Sequence, residues 1–237
     1  MSVINQEQST NVVNTKELNN DQKLWLISLS SFLSLPNHYK LNSLLNESDH
    51  FSLERIQSDN LRILNNSYDV KDREDFIETL DVFCNTGRSQ NFLYLMKEYS
   101  KPDQLTKLLN ERRNKESISI WACHYSIVLS CSGIKAFDIG RYAFLCRCAY
   151  TVGLITEEEA WTFLIRVGKM AQNLFLGWQE FATSYAVGRC TWLDIKINDT
   201  EDTYGIIETI YKESIELEQI LSDDEHPWSK LDWDIAL

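Results

Sequence analysis

The stretch that decides the fold is AFDIGRYAFLCRCAYTVGLITEEEAWTFLIRVGKMAQNLFLGWQEFATSYAVGRCTW, residues 136–192. Apolar residues recur in it at helical spacing of three and four, which predicts three consecutive helices. Gly153 follows the first run, as expected of a glycine that ends a helix in the left-handed conformation. Thr156 precedes Glu159 by three residues, which is the spacing of a capping box. The third helix begins near Gly177, and the short connections require neighbouring helices to pack antiparallel.

The remaining sequence predicts an all-α fold of about eight to ten helices. Glycine (8) and proline (3) are scarce in a chain of 237 residues, and no Asn-Gly or Asp-Gly hairpin signal occurs. Residues 1–22, rich in asparagine, glutamine and serine, are expected to form a flexible arm, and 23–237 a single helical domain. Outside the opening stretch, helices are predicted at 21–35, 52–65, 72–86, 91–99, 102–113, 118–131 and 203–221.

Several segments of the chain resemble a bacterial family. A-F-D-I-G-R, Arg147, G-L-I-T-E-E-E-A-W, G-W-Q-E-F and Y-A-V-G-R-C-T-W are similar to the YbeU/YbeR-like family, a domain of unknown function (DUF1266-like). S-Y-D-V-K-D-R-E-D-F at 67–76 and H-P-W-S-K-L-D-W at 226–233 extend the resemblance to roughly residues 60–233. The signature positions in this chain are Glu159, Trp161, Trp178, Tyr185, Gly188, Trp192, Trp228 and Trp233.

The chain departs from the family pattern in two places. Phe137 precedes Asp138 where the resemblance implies a tryptophan, and Gly87 is followed by Arg88 where it implies a histidine. Because the family has no assigned activity, the resemblance implies a helical fold and no chemistry.

Cysteines and histidines give no sign of a disulfide framework or a metal site. The six cysteines lie singly inside apolar helical stretches, which is typical of core residues in a reducing compartment. No C-x-x-C occurs and the four histidines are scattered, so we expect neither a metal nor a cofactor. Phosphate-loop, dinucleotide-binding and nucleophile-elbow patterns are also absent. The sequence therefore assigns no catalytic residue and favours a protein that is not an enzyme.

The N-terminus and the hydropathy pattern favour a cytoplasmic location. The longest apolar segment, 23–35, is interrupted by serines and is too short to span a bilayer. The chain begins without a basic region followed by an apolar run, so a secretory signal is not predicted.

Negative charge is concentrated at the C-terminal end. Residues 199–237, the acidic C-terminal quarter, hold twelve acidic residues and two lysines, a net charge of −10 out of −12 for the chain. Such a surface repels nucleic acid and anionic lipid, whereas it attracts a basic protein partner. Acidic surfaces also keep proteins soluble without binding anything, so both interpretations stay open.

Charged residues within the apolar stretch form the candidate site. Asp138 and Arg141 lie three residues apart and can pair along one helix face, and Arg147 and Arg189 lie on faces that otherwise look buried. One interpretation is a cleft where the arginines bind an anionic ligand. The other, which we favour, is a structural network with Asp138 as the carboxylate partner, because an unpaired buried charge is costly. Glu159 and Glu180 are further candidate partners.

Two classes of function follow from these features. The first is a non-enzymatic protein-interaction module, either immunity- or antitoxin-like or regulatory, that binds a basic partner through the acidic quarter. The second is an enzyme or small-anion binder that uses Asp138, Arg141, Arg147 and Arg189. Trp228 and Trp233 are expected to pack onto the domain, although an exposed indole would instead indicate a binding strip. The sequence does not fix an oligomeric state.

Overall fold

A computed structural model describes residues 18–111, 117–126, 128–193 and 215–237. All regular structure in these residues is helical, which confirms the all-α prediction, and none of the described helices is long and apolar enough to cross a membrane. The helices are α1 (Asn20–Ser28), α2 (Ser31–Ser34), α3 (Leu53–Arg62), α4 (Arg73–Asn85), α5 (Arg88–Tyr99), α6 (Pro102–Glu111), α7 (Ser117–Tyr125), α8 (Lys135–Thr151), α9 (Glu157–Leu174), α10 (Trp178–Trp192), α11 (215–222) and α12 (Pro227–Lys230).

Two predicted segments fall partly outside the described residues. The flexible arm predicted at 1–22 lies outside them up to residue 17, and α1 begins at Asn20. Of the long helix predicted at 203–221, the described part is α11.

Helix α8 forms the centre of the fold. Fourteen of its 17 residues are buried, and it contacts α1 to α5, α9 and α10. A helix that is apolar on all sides has to be enclosed by its neighbours, which explains this position. The approach to α10 is close at two glycines: a Cβ on Gly140 would lie 2.6 Å from the Tyr185 ring, and one on Gly188 would lie 2.4 Å from the Phe137 Cβ.

The predicted ends of α8 and α9 are confirmed. Gly153 has φ of 76° and follows α8 in the left-handed region. The Thr156 hydroxyl accepts a hydrogen bond from the Glu159 N–H at 3.2 Å, and the Glu159 carboxylate accepts one from the Thr156 N–H at 2.9 Å. This pair is the capping box read from the sequence, so the α8–α9 hairpin follows from local signals.

The single helix predicted at 21–35 is wrong, because the chain breaks between α1 and α2. The hydroxyl of Ser28 donates to the Trp25 carbonyl at 2.7 Å, that of Ser30 to the Ile27 carbonyl at 2.7 Å, and that of Ser31 to the Ser28 carbonyl at 2.6 Å. Such bonds compete with the helical backbone ladder and bend the chain. The break divides one predicted helix into two, and α12 was not predicted. The described chain therefore has twelve helices, above the eight to ten predicted.

The helix predicted at 72–86 is α4, with Asp72 and Thr86 as its capping residues. Gly87, the next residue, has φ of −56° and precedes α5, so it does not adopt a left-handed conformation. A second predicted boundary is wrong. The helix predicted at 118–131 ends at Tyr125, where the Ser126 hydroxyl bonds the Cys123 carbonyl at 2.8 Å. As in α1, a serine bonds the backbone where the helical ladder stops.

The C-terminal tryptophans pack into the body of the fold, as expected. Trp228 is 6% exposed and Trp233 is 7% exposed, and both surround Trp178 with ring centroids 5.1 Å and 4.7 Å away. Each indole N–H donates to a backbone carbonyl, Trp228 to Ser28 at 3.2 Å and Trp233 to Phe175 at 2.9 Å. The strip therefore closes the core between α1 and α10 instead of presenting a free indole.

We predict that Trp233→Ala lowers the free energy of unfolding by about 3–5 kcal/mol, because it removes a large buried side chain. The matched control is Trp192→Ala, where the same change removes a ring that is 56% exposed. That control should cost less than about 1 kcal/mol. Urea titrations of both variants measure the difference, and equal losses would contradict the packing described for the C-terminal strip.

Candidate functional site

The structure separates the candidate charged residues into different environments. Asp138 and Arg141 meet in the first two turns of α8, as predicted from their spacing. Arg147 has its own set of partners at the other end of the same helix. Arg189, on α10, is half-buried, and the ion pairs of Asp138 are with Arg141 and Lys135 instead. The expected pairing of Asp138 with Arg189 is therefore wrong.

The Asp138 carboxylate is enclosed and fully bonded. It has no exposed surface; one oxygen lies 2.5 Å from the Arg141 guanidinium, and the other accepts the Ser89 hydroxyl at 2.6 Å and the Ser89 N–H at 3.3 Å. Ser89 belongs to the first turn of α5, so the carboxylate also lies at the positive end of that helix. Cation, hydroxyl and helix end together offset the cost of burying the charge.

Gly87 and Lys135 complete the surroundings of Asp138. A Cβ on Gly87 would lie only 2.3 Å from a carboxylate oxygen, so a larger residue would displace the carboxylate. Lys135 lies 3.8 Å from Asp138 and donates to the carbonyls of Phe83 at 2.6 Å and Cys84 at 2.9 Å, at the end of α4. Burial lowers the pKa of Lys135. The first turn of α8 thus joins the end of α4 to the start of α5.

The Arg141 side chain is held between aromatic rings. Its guanidinium lies 4.5 Å from the centroid of Phe83 and 4.2 Å from that of Phe137, and its side chain is 13% exposed. Phe137 stands where the family pattern implied a tryptophan, and its ring is an aromatic surface for the Arg141 cation. With its planar faces covered and its fork engaged by Asp138, Arg141 has little capacity left for an external anion.

Arg147 differs from Arg141 because it is wholly buried and bonded only to neutral groups. Its guanidinium donates to five acceptors, none of them a carboxylate: Ser30 Oγ at 3.3 Å, Ser34 Oγ at 2.7 Å, Lys40 O at 2.5 Å, Ser43 O at 3.1 Å and Leu44 O at 3.4 Å. Burial lowers the pKa of Arg147 to about 10, so the group stays charged at neutral pH. These bonds fix the irregular connection 35–52 between α2 and α3.

The groups next to Arg147 form a polar interior that reasoning from the sequence missed. Tyr39 Oη donates to Asn60 Oδ1 at 3.0 Å, and Asn46 Nδ2 lies 3.6 Å from the sulfur of Cys148. Burial raises the pKa of Tyr39 and of Cys148 to about 12 each, so neither supplies a nucleophilic anion at neutral pH. The sequence signal that could have indicated this polar interior is the run of serines in α1 and α2, because their hydroxyls are polar acceptors within an otherwise apolar segment.

The remaining signature residues hold helices together. Glu159 accepts two bonds from Arg73 at 3.0 Å and 2.6 Å besides capping α9, and the hydrogen bond from the Thr156 backbone lowers the pKa of its carboxyl. Trp161 Nε1 donates to Glu157 at 3.0 Å. Glu180 accepts from the Leu176 N–H at 2.7 Å instead of joining Asp138. Trp178, Tyr185, Gly188, Trp228 and Trp233 lie in the contacts of α8, α10 and the C-terminal strip already described, whereas the Trp192 side chain is 56% exposed.

Three of the surface pockets that the described residues form lie away from the charged residues of α8 and α10. The α1 pocket, about 510 Å³, lies between α1, residues 42–45 and the start of α9. The C-terminal pocket, about 450 Å³, is lined by Asp21 and residues 230–235. The α11 pocket, about 270 Å³, lies between the end of α2 and α11 and is lined by Phe32, Leu35, Pro36, Glu216, Gln219, Ile220, Asp223 and His226. No group of three histidine, cysteine or acidic side chains in the described ranges could hold a metal ion.

Comparison with known proteins identifies the family. The sequence profile of the family described as "Protein of unknown function (DUF1266)" matches residues 63–233. The chain belongs to this family. It is 26% identical over 152 residues to "Uncharacterized protein YbeU" of Escherichia coli (strain K12), an alignment that covers 63% of this chain and 64% of that protein. It is 24% identical over 132 residues to "Uncharacterized protein YbeR" of the same strain, which covers 54% and 56%.

These alignments therefore span less than two thirds of either relative. No solved structure is significantly similar to the chain. The DUF1266 match includes α8 and the whole Asp138 site, but it begins at residue 63. All five acceptors of Arg147 lie before that point, so the match covers the buried arginine and not the segment that satisfies it.

We predict that Asp138→Ala lowers the free energy of unfolding by about 3–5 kcal/mol, because it leaves Arg141 buried without its carboxylate. Asp81→Ala is the control, since it removes a carboxylate from an ion pair with Arg166 whose side chains are 49% and 50% exposed. The control should cost about 0–1 kcal/mol. Urea unfolding measures both, and an Asp138→Ala variant as stable as the parent would refute the structural role.

We predict that Arg147→Lys destabilises the fold by at least about 2 kcal/mol, because one ammonium cannot reach the acceptors that the planar fork satisfies. The loss should concentrate in the connection 35–52. Hydrogen exchange followed by mass spectrometry should therefore show faster exchange in 35–52 than in α9. An unchanged exchange rate in 35–52 would contradict the proposed anchoring.

Proposed function

We propose that this chain is a non-enzymatic, cytoplasmic protein-interaction module that binds a basic protein through its acidic C-terminal surface. The observation that carries the proposal is the exposure of its carboxylates. Residues 215–237 hold seven acidic residues and one lysine. Six of the seven are exposed, namely Glu218, Asp223, Asp224, Glu225, Asp232 and Asp234.

The acidic C-terminal surface, defined as these six residues, differs from the rest of the described surface in its charge balance. Residues 1–198 hold 23 acidic and 21 basic residues, so their charges nearly balance, whereas residues 215–237 carry a net charge of −6. On the acidic surface, Lys230 pairs with Glu225 and the segment 215–237 offers no second base. The excess negative potential favours encounter with a positively charged partner and disfavours nucleic acid and anionic membranes.

An inhibitor of the immunity or antitoxin type, or a regulator, is the kind of interaction protein that this surface suits. The competing function, an enzyme or anion binder built on Asp138, Arg141, Arg147 and Arg189, has less support. Asp138 and Arg147 are 0% exposed and already bonded, and the three pockets are lined by other residues.

We predict that neutralising the acidic surface removes the partner. The variant Asp224→Asn, Asp232→Asn, Asp234→Asn should lose a crosslinked partner from the native host, identified by quantitative mass spectrometry against the parent. A matched control neutralises three exposed carboxylates on other helices, Glu54→Gln, Glu78→Gln and Glu158→Gln. The control should retain the partner, and captured parent complex should dissociate as the salt concentration rises.

Equal loss of the partner in both triple variants would show that total charge matters and the C-terminal surface does not. A partner that stays bound to the C-terminal variant at low salt would overturn the proposal.

A further inference from the structure

The α11 pocket combines an apolar wall with an acidic rim. Phe32, Leu35 and Pro36 line one side, and Ile220 faces them from α11. Glu216, Gln219, Asp223 and His226 supply the polar lining of the same pocket. Its volume, about 270 Å³, is enough for one large side chain and lies just below the usual range of ligand pockets, about 300–1,000 Å³.

Two residues that line this pocket each have a buried polar atom without a partner within the described residues. His226 is 4% exposed, and its Nδ1 accepts the Trp228 N–H at 3.1 Å, so the ring hydrogen lies on Nε2. No acceptor for Nε2 is found in the described chain, and Glu216 Oε2, also buried, accepts no hydrogen bond there. Buried polar atoms are almost always bonded, so a donor and an acceptor left open beside one cavity point to an occupant.

The chemistry of the lining specifies what that occupant must present. It needs an aliphatic stem for the apolar wall, a cationic donor for Glu216 and Asp223, and a hydrogen-bond acceptor for His226. A basic residue within a peptide has all three parts, since its methylenes are apolar, its head is a cation and its own backbone carbonyl accepts.

We infer that the α11 pocket receives an arginine or lysine side chain of a basic partner peptide, with its head on Glu216 and Asp223 and its carbonyl on His226. This inference rests on the proposed function and names the residue type that the acidic surface recognises. Glu216 lies in the acidic quarter but is not exposed, so it adds a directed contact to the long-range attraction of the six surface carboxylates.

The charge state of His226 is compatible with a cationic occupant. Burial lowers the pKa of His226 to about 4, although Asp223 opposes this shift. The imidazole is therefore neutral at pH 7 and does not repel the incoming head. The two carboxylates give the pocket a net negative charge, which fits a cation and excludes a phosphate or carboxylate ligand.

The test uses Nα-acetyl-arginine N-methylamide as the probe and the full chain labelled with ¹⁵N. Titration should shift the resonances of His226 and Trp228 with saturation in the millimolar range, as expected for one side chain. The corresponding citrulline amide has nearly the same shape without the charge and should bind at least about tenfold more weakly, because it cannot form a charge-assisted hydrogen bond.

Two pairs of variants distinguish the carboxylates of the pocket from the total charge of the chain. Glu216→Gln with Asp223→Asn keeps the side-chain shapes and should weaken the arginine probe by at least about tenfold. Glu54→Gln with Glu78→Gln removes the same charge from exposed carboxylates on α3 and α4 that do not line the pocket, and it should change binding by less than about twofold. Melting curves confirm that both pairs are folded.

Equal weakening in the two pairs, or no shift of His226 with the parent, would overturn the pocket inference. Neither result touches the proposed function, which depends on Asp224, Asp232 and Asp234 and on the captured partner. A concentration-dependent dimer that the Glu216→Gln, Asp223→Asn pair abolishes would assign the pocket to a second copy of the chain and would also overturn the inference.

Discussion

Helix α8 is enclosed on all sides and nevertheless carries charged residues, and the rest of the fold is arranged around that constraint. Asp138, near its start, is matched by the cations of Arg141 and Lys135 and by the first turn of α5. Arg147, near its end, receives only hydroxyl and carbonyl oxygens. Each charge is expensive to bury, so each fixes the segments that satisfy it: α4 and α5 at one end, and α2 with the connection 35–52 at the other.

The bonds of Asp138 and Arg147 explain why segments with little regular structure still occupy defined positions. The connection 35–52 has no long helix of its own, yet three of its carbonyls point to one guanidinium. The turn between α4 and α5 is just as constrained, because Gly87 leaves the space that the Asp138 carboxylate fills. A network of this kind selects one arrangement of the chain, since any other packing would leave a buried charge without its partners.

Features of the fold that depend on residues close together in the chain were predicted correctly from the sequence. Features that depend on contacts between distant segments were not. Gly153 and the Thr156–Glu159 box were readable because a left-handed glycine and a capping pair act within a few residues. The position of the break at Ser28 to Ser31 was not readable, because Ser30 also accepts a bond from Arg147, which lies more than 100 residues away. The pairing of Asp138 was half readable: Arg141 follows from helical spacing, whereas Ser89 becomes a neighbour only in three dimensions.

The same division bears on where function lies in this member of the DUF1266 family. The charged residues of α8 are already bonded within the fold, whereas the acidic C-terminal surface is exposed and two residues that line the α11 pocket each have a buried polar atom without a partner in the described chain. The family match, 63–233, includes Glu216, Asp223 and His226, but the apolar wall formed by Phe32, Leu35 and Pro36 precedes it. The polar residues of the pocket therefore lie inside the family match, whereas three of its apolar residues lie outside it. Cation binding depends on the polar residues, and the fit of the stem depends on the apolar ones.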